Sequence, residues 1–235
     1  MVQRILYDLA AADPAVRFSP YCWRAKMALA HKGLAVETRP WRFTEREALA
    51  FSGQGRVPVL VDGDEVVHDS FAIALYLEDA YPDAPSLFGG EGGQALARFV
   101  AAFADTVLNP GLSRLVVADI WAALAPEDQA YFRESREARY GGMRLEDVQA
   151  DRETRVEAFR ASLAPLRLVL KTQPYLAGEA PAYADYAVFG GFQWVRAISA
   201  FDPLATDDPV HAWRERLLDR FGGLARAAPR AASAS

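Results

Sequence analysis

"RVPVLVDGDEVVHDS", Arg56–Ser70, places two valine-rich runs on either side of Asp62-Gly63-Asp64. An Asp-Gly step between two β-branched runs is a strong local signal for a hairpin. The following "SFAIALYLEDAY" reads as a helix, with Asp69-Ser70 placed to cap it. A hairpin feeding a capped helix is half of a small α/β unit.

The other half lies upstream. "RILYDL" (Arg4–Leu9) is short and β-prone, and an Ala/Asp/Pro loop at residues 10–14 bounds it. Residues 19–32 spell a helix: Ser19 can cap it, Pro20 suits its first position and Gly33 ends it. Trp23, Met27 and Ala30 then share one face. "LAVETRPW" (34–41) reads as a second strand, with a helical turn near residues 44–50. The order β-α-β-α-β-β-α describes a mixed α/β domain over residues 1–81.

Downstream the composition changes. "PDAPSLFGGEGG" (82–93) is rich in Pro and Gly and reads as a linker. Residues 94–225 are helical in pattern, opening with an amphipathic stripe of Leu96, Phe99, Val100, Phe103 and Val107. Asn109-Pro110-Gly111 is expected to kink or break that helix before it resumes through Trp121. Further helices are expected near 126–140, 152–172, 184–199 and 209–221, and the low-complexity tail 226–235 is expected to be disordered.

Bulk properties narrow the function classes. Apolar residues make up 51% of the 235, ample for a sizeable core. The net charge of −5 argues against a broad basic face for nucleic acid. No apolar run reaches the roughly 20 residues a membrane span needs, and "MVQRILYDLAAADPAV" lacks the layout of a secretory signal, so a cytoplasmic location is expected. One cysteine forbids an internal disulfide, and His31, His68 and His211 are far apart, so no metal is expected.

The residues that could carry chemistry gather around helix starts. A hydroxyl at an N-cap ordinarily accepts a backbone N–H, and Ser19 suits that role. A helix N-terminus also attracts anions, so a thiolate parked there would have its pKa lowered from near 8.5. Ser19 could then donate its hydroxyl to the sulfur without any general base. Cys22, one turn on, is open to two readings: a low-pKa nucleophile, or a small buried residue beside Trp23, with the second preferred. Val57-Pro58 opens a strand, and a cis bond there would turn the N–H and C=O of Val57 toward a peptide-like ligand. Asp69-Ser70 reads either as a capping pair or as a site where Ser70 meets a carboxylate and Asp69 an α-ammonium. A thiol in the middle, a backbone to pair with and an amino-acid head group together describe glutathione.

On "SPYCWRAK" (19–26), the stretch from Arg56 to Pro82, the Pro/Gly linker and "PAYADYAVFGGF" (181–192), the chain resembles the cytosolic glutathione transferases. The resemblance implies a thioredoxin-like domain followed by an all-α domain, a homodimer, glutathione as cosubstrate and a small hydrophobic electrophile. In serine- and cysteine-type members the catalytic residue stands five positions before the arginine of the first helix, which is Ser19 counted from Arg24. Tyrosine-type members use a tyrosine at the end of the first strand, where Tyr7 sits. The same carry-over pairs Val57, beside Pro58, with the cysteinyl backbone, gives the γ-glutamyl end to Asp69 and Ser70, and brings Arg56 to the glycyl carboxylate or a backbone carbonyl.

Ser-x-x-Cys-Trp-Arg is similar to the zeta class, although "SGQGRVPVL" (52–60) lacks that class's Asn-Pro. The long first loop, residues 127–153 and "ADY" (184–186) are more similar to bacterial β-aryl-etherases and the fungal FuA class. In those, glutathione displaces a phenolate from an aryl ether. One departure is Ala182, where the family usually has Ser or Thr before the buried Asp185, leaving the capping box incomplete. The implied function is transfer of glutathione through Ser19 to an aromatic electrophile, with aryl-ether cleavage as its narrowest form. A non-catalytic carrier of glutathione or aromatic ligands and a Cys22-dependent reductase are the alternatives. Phe103, Leu108, Trp121 and Tyr140 are candidate pocket walls, with plain core the preferred reading of each.

Overall fold

The computed structural model describes residues 3–232. Strands β1 (Arg4–Leu9), β2 (Glu37–Trp41), β3 (Val59–Asp62) and β4 (Glu65–His68) form one mixed sheet in the order β2-β1-β3-β4. Parallel strands need a crossover, and α1 (Pro20–His31) supplies it between β1 and β2. β3 runs antiparallel to both β1 and β4, and Gly63-Asp64 turns the β3–β4 hairpin between the paired Asp62 and Glu65. Helix α2 (Ser70–Ala80) follows. Leu6, Met27, Leu29, Leu60, Ile73 and Leu77 are fully buried between sheet and helices. This is the thioredoxin-like unit that the resemblance implied.

The strand register decides where the functional segments emerge. Tyr7 of β1 faces Val59 of β3, and Val59 faces His68 of β4. The end of β1, the start of β3 and the end of β4 therefore share one edge of the sheet. The loop leaving β1 is folded back on it, with the Phe18 N–H donating to the Leu9 carbonyl at 3.2 Å. Ser19, Val57-Pro58 and Asp69-Ser70 all arise at this edge.

The helical half comprises α3 (Glu91–Phe103), α4 (Asn109–Ala123), α5 (Pro126–Arg139), α6 (Leu145–Gln149), α7 (Arg152–Ser162), α8 (Ala164–Leu170), α9 (Tyr183–Ile198) and α10 (Pro209–Leu218). Of the kink or break expected at Asn109-Pro110-Gly111, the break does not occur. A single π turn, Ala104–Leu108, joins α3 to α4 just before the proline, widening the ladder where Pro110 cannot donate. The expected helix 152–172 is two helices, because Pro165 restricts the backbone ahead of it and Leu163 takes the junction.

Helix α3 begins inside the segment read as a linker. Gly93 lies in this helix, and a β-carbon there would stand 1.8 Å from the Phe88 carbonyl oxygen, so the glycine serves packing. The stripe on α3 also differs from its sequence reading: Leu96 is 68% and Phe99 73% exposed. The face turned inward is instead Ala97 and Ala101, small residues that let α3 lie close to α9.

Helix α9 locks the two halves together. Its Gly190 lies against α1, where a β-carbon would meet the Pro20 carbonyl oxygen at 2.3 Å. From α1, the buried Arg24 donates to the Ala187 carbonyl at 3.0 Å and to Asp105 at 2.7 Å. Asp185 accepts from Ala182 N at 3.1 Å, half of a capping box, since Ala182 has no oxygen to return the bond. The other acceptor sites of Asp185 take Leu176 N at 2.7 Å and the Trp213 indole at 2.8 Å, so its role is to hold the fold.

The chain after residue 225 departs from the disorder expected of 226–235. Arg230 donates to the Arg196 carbonyl at 2.8 Å and Ala231 N to the Ala197 carbonyl at 2.7 Å, tying this segment to α9. Its arginines find free carbonyls at a helix C-terminus, which composition alone does not reveal. Residues 233–235 lie outside the described residues. No helix among the described residues is long and apolar enough to cross a membrane.

Candidate functional site

A cavity of about 720 Å³ opens between the sheet edge and the helical half. Ser19 stands on its wall, 3% exposed, at the cap of α1. The Ser19 hydroxyl oxygen accepts from Cys22 N at 3.2 Å, and its carbonyl accepts from Trp23 N at 3.0 Å. Accepting a bond leaves the hydroxyl its own hydrogen to donate. Pro20 brings no N–H to this helix end, and Tyr21, 37% exposed, follows it on the cavity wall.

The competing candidates are turned away. Cys22 is fully buried off the cavity, its sulfur 3.9 Å from the Tyr7 carbonyl. Burial first, then the nearby Asp8, pushes this thiol well above the ordinary range, opposite to what a nucleophile needs. Tyr7 packs its ring 5.3 Å from that of Phe51 and does not line the cavity.

The Val57-Pro58 peptide bond is cis. Gly55, Arg56 and Val57 line the cavity, while Pro58 is buried behind them. No other main-chain group among the described residues bonds the N–H or C=O of Val57. An extended peptide can therefore pair there as an added strand. At the same sheet edge Asp69 adopts φ 73° and spends one carboxylate oxygen on Phe71 N (2.8 Å) and Ala72 N (3.0 Å). The capping reading of Asp69 thus holds, with its other oxygen left toward solvent. Ser70 is buried beside it, and neither residue lines the large cavity itself.

The far wall draws mostly on residues the sequence did not single out, and three of the four candidates take the core reading preferred for them. Of the four only Tyr140 lines the cavity, its hydroxyl 2.8 Å from that of Ser113. Leu108 is buried in the core, Trp121 lies beneath the Arg133 guanidinium at 4.4 Å, and Phe103 packs against the core without reaching the cavity. The aromatic wall is centred instead on Phe43, whose ring lies 5.8 Å from Phe132, 6.0 Å from Tyr131, 6.3 Å from Trp41 and 6.4 Å from Phe18. Phe43 sits just past β2 and the tyrosine and phenylalanine sit on α5, so only tertiary packing unites them. The aromatic, charged stretch 127–140 was the available signal, and without a partner it could not be assigned a side.

Comparison with known proteins decides the family. The glutathione S-transferase N-terminal domain matches over residues 14–85 and the glutathione S-transferase C-terminal domain over residues 95–221. The chain belongs to the glutathione S-transferase family. Among curated relatives, this transferase is 26% identical to glutathione S-transferase U26 of Arabidopsis thaliana, over 86% of the chain and 82% of the relative. It is 42% identical to glutathione S-transferase Z2 of the same plant, over 27% of the chain and 31% of the relative. Among solved structures, GSTFuA3 from Phanerochaete chrysosporium is 28% identical with a TM-score of 0.75, covering 95% of this chain and 94% of that one. CsGST63524 of Ceriporiopsis subvermispora, solved in complex with glutathione, is 24% identical with a TM-score of 0.81 and shares the fold over 94% and 98% of the two chains. The open main-chain pair at Val57 is of the kind an extended peptide such as the glutathione bound in the Ceriporiopsis structure can use.

Proposed function

We propose that Ser19 holds the glutathione sulfur as a thiolate for attack on an aromatic electrophile. One observation carries this: Ser19 is the hydroxyl at a helix N-terminus on the cavity wall, while Cys22 and Tyr7 lie off it. Glutathione lies along the sheet edge with its cysteinyl main chain on Val57. Its γ-glutamyl end meets Ser70 and the free oxygen of Asp69, and its glycyl carboxylate meets Arg56. Ser19 donates O–H···S⁻, which stabilises the anion and lowers the thiol pKa. A C–S bond then forms at the electrophilic carbon while the bond to the leaving group breaks. The leaving group departs with its electron pair as halide or phenolate, and the thiol proton goes to solvent.

The likeness of the first loop and residues 127–153 to β-aryl-etherases, with the 28% identity to GSTFuA3, supports aryl ethers among the substrates. The exposed Leu96 and Phe99 on α3 support a homodimer that covers them. A cytoplasmic setting suits a glutathione-dependent reaction.

Ser19→Ala and Cys22→Ala test this, each with 1-chloro-2,4-dinitrobenzene and a β-aryl ether. The expected result is loss of conjugation in the first with glutathione binding kept, and retention in the second. Loss confined to Cys22→Ala would overturn the proposal in favour of the reductase. Glutathione binding with no turnover of any electrophile would favour a carrier.

A further inference from the structure

The cavity is charged in a way the chain is not. The protein carries 31 acidic against 26 basic residues, yet four arginines line this cavity: Arg46, Arg56, Arg136 and Arg139. Its one acidic lining residue, Asp105, already binds Arg24 at 2.7 Å. None of the four cavity arginines has a carboxylate within salt-bridge distance among the described residues. On the same helix Arg133, one turn from Arg136, is by contrast paired, with Glu146 at 2.6 Å.

Arg136 is the most telling of them. Its guanidinium lies 4.7 Å from the centre of the Phe132 ring and 5.6 Å from that of Phe43, at the heart of the aromatic wall. Beside these rings its N–H groups have one protein acceptor among the described residues, Ser135 Oγ at 2.9 Å. Burial, reinforced by the neighbouring Arg139, lowers its pKa to about 10. A half-buried guanidinium that faces a cavity with no acid beside it is free to pair with a ligand that supplies the missing charge.

We propose that the electrophile of this transferase is an aromatic acid, its ring against Phe43 and Tyr131 and its carboxylate on the Arg136 guanidinium. The assignment rests on the transferase reading of the cavity and names its substrate class. Arg56 stands on the sheet side, where the glycyl carboxylate of glutathione also needs a cation, while Arg46 reaches across to lie 5.2 Å from the centre of the Tyr131 ring. Arg136 and Arg139 project from α5, on the opposite wall. The planar fork of arginine suits a carboxylate in two-point contact, and a neutral ring would leave it unpaired.

The test is equilibrium binding of 2-naphthoate and its neutral counterpart 2-naphthamide, with saturating S-methylglutathione present to occupy the glutathione site. The full chain is expected to bind the acid about tenfold more tightly than the amide. Arg136→Met is expected to erase that preference while leaving S-methylglutathione affinity intact, and Arg136→Lys to restore part of it. Equal affinity for acid and amide in the wild type, a preference that survives Arg136→Met, or weakened S-methylglutathione binding in that variant would each overturn the assignment. Failure of the transferase reading shows separately, as absence of thioether product from reactive aryl halides. Naphthoate binding does not depend on that outcome.

Discussion

The two walls of the cavity are built by different means. The wall proposed for glutathione is made of Ser19, Gly55, Arg56 and Val57, beyond the end of β1 and ahead of the start of β3, where strand register fixes their spacing. The wall proposed for the electrophile is made of long side chains, Phe43, Tyr131, Phe132 and Arg136, brought together from a loop and a helix. A wall of backbone groups recognises one constant peptide. A wall of side chains can change its ligand by substitution without disturbing the sheet. On the proposed reading the first wall carries the chemistry of glutathione, and the second sets which electrophile is taken.

The sharpest way to break that comparison is at Ser19. Ser19→Ala is expected to lower conjugation on the order of 100-fold, the scale of losing one donor to a developing or stored anion. Its rate profile should shift to higher pH, because the glutathione thiol then ionises later. Ser19→Gly keeps most of the helix-capping stability and should fail equally. Full activity in either variant would move the thiolate site elsewhere.

Next in size is the seam that holds the walls in register. Gly190→Ala puts a methyl 2.3 Å from the Pro20 carbonyl oxygen, main chain that cannot swing aside. A loss of about 2 kcal/mol is expected, read as a lower melting temperature together with reduced conjugation, since α1 carries Ser19. The Arg136→Met change described above follows, at about tenfold and on the electrophile alone.

A smaller effect concerns how the second wall is fastened. Arg133 binds Glu146 at 2.6 Å, tying α5 to α6, and its hydrogen bonds hold the Glu146 carboxyl down at about 2. A folded-state pKa below the unfolded one stabilises above the unfolded value and ceases to do so as pH falls. The melting difference between wild type and Glu146→Gln should therefore be small at neutral pH, given the exposure of the pair, and shrink from about pH 5 downward toward 2. The smallest effect is at Cys22. Its buried thiol should resist iodoacetamide in the folded protein, and Cys22→Ala should keep conjugation within about twofold.

Much of the first wall was legible in the sequence because it depends on local rules. Asp-Gly between valine runs specifies the hairpin, Ser-Pro specifies a helix start, and Asp69 caps α2 as its position suggests. The helical half was legible only as helices. Leu96 and Phe99 follow the spacing of an inward face and yet point out, because Ala97 and Ala101 allow closer packing against α9. Phe103, Leu108 and Trp121 have the composition of a pocket wall and miss it, since periodicity gives a helix its faces and says nothing of what each face meets.

The sequence by itself determined the order of elements and the capped helix starts, since each rests on contacts between residues close along the chain. Tertiary structure alone decided that Ser19 faces the cavity while Cys22 faces the core, three residues apart on one helix turn. It also decided that Arg136 reaches an aromatic wall with no acid beside it. Both outcomes depend on how α1 and α5 are rotated against their neighbours, and that rotation is set by packing across the whole molecule.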